Sequence, residues 1–464
     1  MDIKIKKGLD LPLDGAAERQ VIDARSIMRY AVKPTDIVGL SPRLVVEEGN
    51  NVTAGQPLVC DKNDPRKCLT SPINGTVEQI VRGEKRKLLA VVVKKQPQAS
   101  HTVAPTMPTD AQQAIQMLID NGMWWMLRQR PFGTMANPDV LPKGIFISLF
   151  DSAPLAPDIP FTLKGREHQF ESGINLLGLI APVHISLNAK TPQANKPFTT
   201  MHLANATIHT FEGPHPAGNI GTQIAAISPI NKGEVVWTID AQDVATVGNF
   251  MQTGTYAPER IIAVAGPAAK SPHYYHITCG ADVSEIVNGQ TLSTNYPELV
   301  VQSNTRAISG NALCGTTIDN VAFLGTYHNM ITMLPEGNHY DFMGWLMPGL
   351  KKHSFSRTFL SGFLRPFEKY LPSQPAYDFN TNTHGSVRPF LFTGNFERIF
   401  PFEIYPLQLI KACIVGDLEL MEQLGIYEVE PEDFALCEYI DPSKTEIQAI
   451  VRQALETLRK EATA

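Results

Sequence analysis

The stretch of this chain best placed to do chemistry is Phe211-Glu212-Gly213-Pro214-His215-Pro216-Ala217-Gly218-Asn219-Ile220-Gly221-Thr222, which follows the strand-like run Ala206-Thr207-Ile208-His209-Thr210. A glycine-rich turn between a strand and a helix exposes backbone N–H groups, and this is how α/β domains hold the phosphates of nucleotides and flavins. Pro214 and Pro216 each remove one such donor, and no Lys or Arg lies between His209 and Asn231 to neutralise a pyrophosphate. Neither G-x-G-x-x-G nor G-x-x-x-x-G-K-[ST] can be read here. The residues therefore give a phosphate loop in outline (Gly213, Gly218, Gly221) whose chemistry has been removed, and a tight strand-to-helix connection is the plainer reading.

A second constellation is Met123-Trp124-Trp125-Met126-Leu127-Arg128-Gln129-Arg130-Pro131-Phe132. Flat aromatics beside arginines suit an aromatic head group with carbonyl oxygens, such as a quinone, or a hot spot against another protein. The expectation is that Arg130 and Phe132 lie on a loop near such a ligand, with Trp124 and Trp125 buried as their support. The competing expectation places all four in a helix–sheet core. His273 and His276 flank Tyr274-Tyr275, but a three-residue spacing brings two imidazoles together only on a helix, which Pro272 disfavours, and no third ligand is apparent, so no metal site is expected.

The rest of the 464-residue chain must position these groups, and its length suggests three or four domains. A net charge of −6, from 40 basic and 46 acidic residues, leaves no footprint for nucleic acid. The six cysteines show no C-x-x-C and no regular spacing, so no disulfide framework is expected and a reducing cytoplasm fits. Met1 to Gly8 is basic but no apolar run follows, which excludes a secretory signal. The longest stretch without a charge, Ser172 to Ala189, is broken by Asn175, Gly178, Pro182 and His184, so membrane association is expected to be peripheral.

Between residues 39 and 93, Gly49 and Gly55 sit where short strands must reverse, and Val45, Val52, Leu58 and Val77 supply inward side chains for a flattened barrel. This pattern resembles the lipoyl/biotinyl hammerhead, in which a lysine at a hairpin tip carries the prosthetic group. Lys62 is the nearest equivalent, but Asp64-Pro65 lengthens its tip, so an unmodified docking barrel is expected. Ile3-Lys4-Ile5-Lys6 reads as a half-exposed strand on this barrel or as an arm reaching a partner. A Pro-rich spacer from Gln96 to Pro108 precedes a helix opened by a capping box of Thr109 and Gln112, with Ala114, Ile115, Leu118 and Ile119 on its apolar face.

Runs at 145–150, 175–187, 206–211, 234–239 and 260–265 alternate with polar or helix-like segments such as 241–251, which argues for a mainly parallel sheet covered by helices. Beyond Gly266-Pro267 come shorter strand-like pieces, at 276–279, 283–288, 298–302 and 307–310, and a small mixed β domain is expected. The last part is aromatic and loop-rich and then helical, with Pro406 opening one helix and a Ser443-to-Glu446 capping box opening another.

Six stretches in the same order resemble one family over essentially the whole chain: Ile3 to Pro12, the hammerhead, Gly213-Pro214-His215-Pro216-Ala217-Gly218, Ala265-Gly266-Pro267, Gly344-Trp345-Leu346-Met347-Pro348-Gly349 and Ala435-Leu436-Cys437-Glu438-Tyr439. The family is NqrA, one of the six components of the sodium-translocating NADH:quinone oxidoreductase. The resemblance implies a multidomain α/β protein, with a lipoyl/biotinyl-like barrel at 1–103, a Rossmann-like α/β domain at 104–256, a small SLBB-like β domain at 257–330 and a C-terminal domain ending in helices at 331–464. It implies a peripheral component on the cytoplasmic face of the bacterial inner membrane, docked on five others, chiefly the quinone-reducing membrane protein NqrB and its neighbour NqrC. NADH, FAD, FMN, riboflavin and iron-sulfur centres are then held by other subunits, and none by this chain, with ubiquinone as the electron acceptor.

The fold also looks like the flavin-bearing subunit of complex I, whose strand-to-helix loop holds flavin phosphates where this sequence has Pro214 and Pro216. Cys437-Glu438-Tyr439-Ile440-Asp441-Pro442 resembles a ferredoxin Cys-x-x-x-Cys-Pro tail with Asp441 at the second thiolate, which argues against a cluster. Three functional classes remain: a cofactor-free docking and quinone-site-shaping subunit, a flavin- or NADH-binding dehydrogenase subunit, and a hammerhead carrier swinging on Lys62.

Overall fold

A computed structural model describes residues 1–97, 103–290, 305–318, 322–338, 342–344, 346–364, 377, 379–391 and 394–462. Among these, four antiparallel strands, Arg29–Val32, Leu88–Lys95, Gly75–Arg82 and Asn51–Val52, face three others, Pro42–Leu44, Pro57–Asp61 and Cys68–Thr70, as a barrel-sandwich. Val52, Leu58 and Val77 are buried between them as the alternation predicts. Val45 is not, at 46% exposed, and Val46 takes the inward place. Side chains alternate with period two, so an error of one residue in register exchanges the faces.

The seven-stranded sheet holds five parallel strands in the order Asp2–Lys4, Ala206–Glu212, Val183–Asn188, Ile145–Ser148 and Val236–Thr238. Arg128–Arg130 and Thr134–Met135 extend it antiparallel. The first strand corrects the expectation that residues 3–6 belong to the barrel, since Ile3 pairs with Phe211 instead. An edge strand of a parallel sheet leaves N–H and C=O groups unpaired, and the amino-terminal arm covers that edge while Ile3 and Ile5 pack on Phe150, Phe211 and Ala217.

The expected strand from residue 175 starts only at Val183, because Glu167–Leu177 is a helix. That helix and Ala241–Thr253 approach so closely at Gly248 that a Cβ there would lie 1.7 Å from the carbonyl oxygen of Gln169. The preceding helix, Ala111–Asp120, buries Ala114, Ile115 and Leu118, but its cap is Asp110, whose carboxylate accepts from Gln113 N–H, and not Thr109.

A six-stranded mixed sheet runs Thr316–Thr317, Thr305–Ser309, Met330–Pro335, Glu259–Ala265, His273–Thr278 and Glu18–Asp23. Residues 260–265 thus leave the parallel sheet to which their sequence pattern assigned them, and 18–23 join from the amino terminus. Segment 283–288, expected as a strand, lies in the helix Ser284–Gln290, whose start is fixed by the Asp282 carboxylate accepting from Ser284 N–H. The strand expected at 298–302 lies outside the described residues.

The carboxy-terminal unit packs Pro406–Val415, Ala435–Ile440 and Ile447–Ala462 around Phe396, Phe400, Phe434 and Ile410. The last helix buries Ile447, Val451, Ala454, Leu455 and Leu458 on one face. Its entry is organised by Asp441, whose carboxylate accepts from Ser443 and Thr445 N–H, and not by a Ser443 capping box.

Cys60 and Cys68 are bonded across the hairpin that bears Lys62, one disulfide where the cysteine spacing gave no sign of any. They are direct partners in the register of Pro57–Asp61 with Cys68–Thr70, a proximity that only the strand pairing creates. Exposed Lys62 sits on a six-residue tip (62–67) between those strands. The tip is tied down by Arg66, which binds Asp64 at 2.9 Å and Asp139 of the α/β domain at 2.5 Å.

Candidate functional site

The glycine-rich loop leaves the strand Ala206–Glu212 and enters the helix Ile220–Ile227 through Asn219. Four of its amides are taken by the chain itself. His215 N–H donates to Asp10 Oδ1 at 2.8 Å, Ala217 N–H to the Pro214 carbonyl at 2.8 Å, Gly218 N–H to Ser152 Oγ at 2.7 Å and Asn219 N–H to the Pro216 carbonyl at 2.9 Å. Pro214 and Pro216 have no N–H to offer.

The glycines have been turned to internal packing. A Cβ on Gly213 would lie 2.5 Å from the Ile5 carbonyl oxygen and one on Gly218 would lie 2.3 Å from the Ser152 nitrogen. On Gly221 it would meet Asp433 Oδ1 at 2.4 Å and Arg130 Nη1 at 2.6 Å. Space that a phosphate needs is filled by the amino-terminal arm, by the 151–152 turn and by a carboxylate from the last domain. His215 Nδ1 lies 3.1 Å from Ser152 Oγ, and burial holds its pKa down at about 4, so the imidazole is neutral and adds no charge to the loop.

Arg130 ends the antiparallel strand beside Val236 and is buried. Its guanidinium lies 3.5 Å from Glu430, 3.1 Å from Asp433 and in contact with Glu432, the three acids of Glu430-Pro431-Glu432-Asp433. Arg128 adds a contact of 3.3 Å to Glu430. This is an ion cluster between the α/β sheet and the carboxy-terminal unit. Burial raises the Asp433 carboxyl, to about 7, against the pull of Arg130, whereas Arg130, Arg128 and Arg452 together hold Glu430 below its ordinary value in spite of its burial. Glu430 N–H also donates to Asp433 Oδ2 at 2.9 Å, which fixes the turn carrying both acids.

Phe132 follows in the next turn at a φ of 82° and is half-buried. Its ring meets Tyr427 edge-on at 6.1 Å and its carbonyl accepts from Arg452 at 2.8 Å. Trp124 and Trp125 are buried in the main core and not in the cluster against which Phe132 packs. Trp124 donates to the Ala136 carbonyl at 3.0 Å and meets Trp237 edge-on at 5.4 Å, while Trp125 donates to the Tyr256 hydroxyl at 3.2 Å. Arg130, Phe132 and Gly221 therefore come together at one domain seam, and the tryptophans lie apart from it in the main core.

The other predicted groups do not join them. His273 and His276 lie on a strand, with His276 bound to Glu259 at 2.9 Å, and no group of three metal-ligating side chains is present among the described residues. Burial raises the Cys437 thiol well above its ordinary value, and neighbouring Asp441 is occupied by backbone N–H groups. Sequence reasoning missed Glu430, Glu432 and Asp433, although an acidic run beside buried Phe434 was a usable signal that a buried cation must face it. Ser152 and Asp10 gave no local signal.

Residues 3–96 match the family described as the NqrA N-terminal barrel-sandwich hybrid domain, 109–256 the NqrA second alpha/beta domain, and 261–320 the NQRA C-terminal domain. Among curated relatives, the protein of Haemophilus influenzae strain Rd named as the A component of the Na(+)-translocating NADH-quinone reductase is 36% identical over 465 residues, spanning 99% of this chain and 100% of that protein. The proteins of the same name from Pseudomonas aeruginosa PAO1 and Photorhabdus laumondii are 35% and 34% identical over the same shares of both chains. Among the described residues no helix is long and apolar enough to cross a membrane. Matched from end to end in this way, the chain belongs to the NqrA family of Na(+)-translocating NADH-quinone reductase subunits.

Proposed function

We propose that this chain is a docking and quinone-site-shaping subunit of a complex that passes electrons from NADH to ubiquinone and exports Na⁺, and that it holds no redox centre of its own. The observation that carries this reading is the self-filled loop at Gly213, Gly218 and Gly221: four of its amides, those of His215, Ala217, Gly218 and Asn219, are donated to Asp10, Ser152 and the loop's own carbonyls, and Asp433 stands at the first turn of the following helix. A flavin phosphate there would meet a carboxylate and displaced backbone, so the residues do not fit one. NADH, flavin and iron-sulfur chemistry then belongs to the other five subunits, and this chain sits peripherally on the cytoplasmic face against NqrB and NqrC. Phe132, in the turn after Arg130, is the group assigned to the vicinity of quinone, with Arg130 setting that turn through its acids. The test is the visible absorption spectrum of the chain separated gently from its native complex. A colourless chain is expected, and a stoichiometric flavin or cluster band would replace this reading with that of a dehydrogenase subunit.

A further inference from the structure

We infer that residues 342–344 and 346–360 form a seat for an anionic lipid surface. In this segment Phe342, Leu346, Met347, Leu350 and Leu360 are exposed, Phe342 at 88%. Apolar side chains gathered this way on a water-facing surface mark an interaction site, whereas scattered ones do not.

The segment is built and anchored. Leu360 N–H donates to the Pro348 carbonyl at 2.9 Å, Gly349 packs on the Phe359 ring, and Ser361 Oγ donates to the Lys352 carbonyl, so the two ends are held side by side. His353 faces inward, 2.8 Å from the Tyr439 hydroxyl, and Phe355 packs against the carboxy-terminal core with Arg398 over its ring at 5.1 Å. With those side chains turned in, Leu346, Met347, Leu350 and Leu360 remain exposed on an anchored segment.

Charge selects the occupant. From Phe342 to Leu364 the sequence holds Lys351, Lys352 and Arg357 and no Asp or Glu, within a chain whose net charge is −6. Lys351 and Arg357 are exposed, and the Lys352 ammonium lies 5.6 Å from the Phe359 ring centroid. Apolar side chains interspersed with Lys351, Lys352 and Arg357, with Asp341 as the one acid bordering the stretch in sequence, match the boundary between acyl chains and anionic headgroups, where the former bury and the latter meet phosphates. The remaining acidic excess would keep other faces off the same surface and so orient the chain. This inference rests on the peripheral-membrane part of the reading above and adds the face that meets lipid.

The experiment is co-sedimentation of the purified full chain with vesicles of phosphatidylcholine alone and of phosphatidylcholine with phosphatidylglycerol, at low and high salt. Binding to the anionic vesicles alone, weakened by salt, is expected. Replacing Lys351→Ala and Arg357→Ala together should lower the partition coefficient about 25-fold, at roughly five-fold per charge. Leu346→Ser with Leu350→Ser should also lower it while leaving the thermal unfolding of the chain unchanged. Equal binding to both vesicle types, no binding, or wild-type binding by both variants would overturn the inference. So would a concentration-dependent dimer in solution that both variants abolish, since a second copy would then be the occupant. Failure here, with the variants still assembling into an active complex, would leave the proposed function standing.

Discussion

Replacing Arg130 with Met should loosen the carboxy-terminal unit from the α/β sheet. The side chains of Arg130 and Glu430 are each 3% exposed and that of Asp433 0%, at separations of 3.5 and 3.1 Å from the guanidinium. Met keeps the apolar stem but leaves acids buried without their main counter-charge, a change that costs roughly 3–5 kcal/mol. Arg128, 3.3 Å from Glu430 and 29% exposed, offsets part of this, so the expected loss is near the lower end, about 3 kcal/mol. Lys232 and Glu422 span the same two units at 2.7 Å but stand 69% and 28% exposed, and Lys232→Met should cost under about 1 kcal/mol.

The assay is protease susceptibility of the carboxy-terminal unit in rising urea for both variants. Acid should lessen the Arg130→Met defect, because Asp433, whose carboxyl burial already raises, can then be neutral. Arg130→Met combined with Glu430→Gln and Asp433→Asn should recover part of the loss. An Arg130→Met variant indistinguishable from the Lys232 control, or a triple variant weaker than the single, would refute the account of this seam as an ion cluster.

Three further outcomes are expected. His215 is buried with its pKa lowered to about 4 from an ordinary value near 6.5, so its contribution is present above pH 6.5 and is lost as pH falls through 4. Across that window His215→Asn should remove a pH-dependent loss of roughly 3 kcal/mol from the unfolding free energy, and an unchanged slope would contradict the burial argument. Peptide mass spectrometry should find Lys62 unmodified, since Arg66 ties its tip to Asp64 and Asp139, and a lipoyl or biotinyl increment would show a carrier instead. Phe132→Ala in an assembled complex should raise the apparent KM for quinone and leave NADH oxidation intact, and unchanged quinone kinetics would leave Phe132 only its packing on Tyr427.

Where a pattern is local, the residues displayed it. The terminal helix was legible because Ile447, Val451, Ala454, Leu455 and Leu458 recur at helical spacing and all are buried, and the barrel because Gly49 and Gly55 reverse strands whose Val52, Leu58 and Val77 point inward. That the loop lacks two backbone donors was legible from Pro214 and Pro216. Partnership across the chain was not. Nothing near Ile3 says that its partner is Phe211, and nothing near Cys60 says that Cys68 faces it until the hairpin register is known. Segment 283–288 misled because Val283, Ile286 and Val287 fit a short apolar run, whereas the Asp282 carboxylate, accepting from Ser284 N–H, sits at the start of a helix. Arg130 was placed near a ligand because its three acids lie about three hundred residues away in sequence.

The filled loop and the ion cluster solve one problem at the same place. A helix start following a glycine-rich turn carries partial positive charge, and without an anionic ligand that charge still needs a neighbour. Asp433 and Arg130, paired at 3.1 Å, both stand so close to Gly221 that no side chain fits between, and together they occupy that position. The anion therefore comes from the carboxy-terminal unit, and the contact that fills the cradle is also one that holds that unit to the sheet. A phosphate could enter here only by expelling Asp433 and parting the seam.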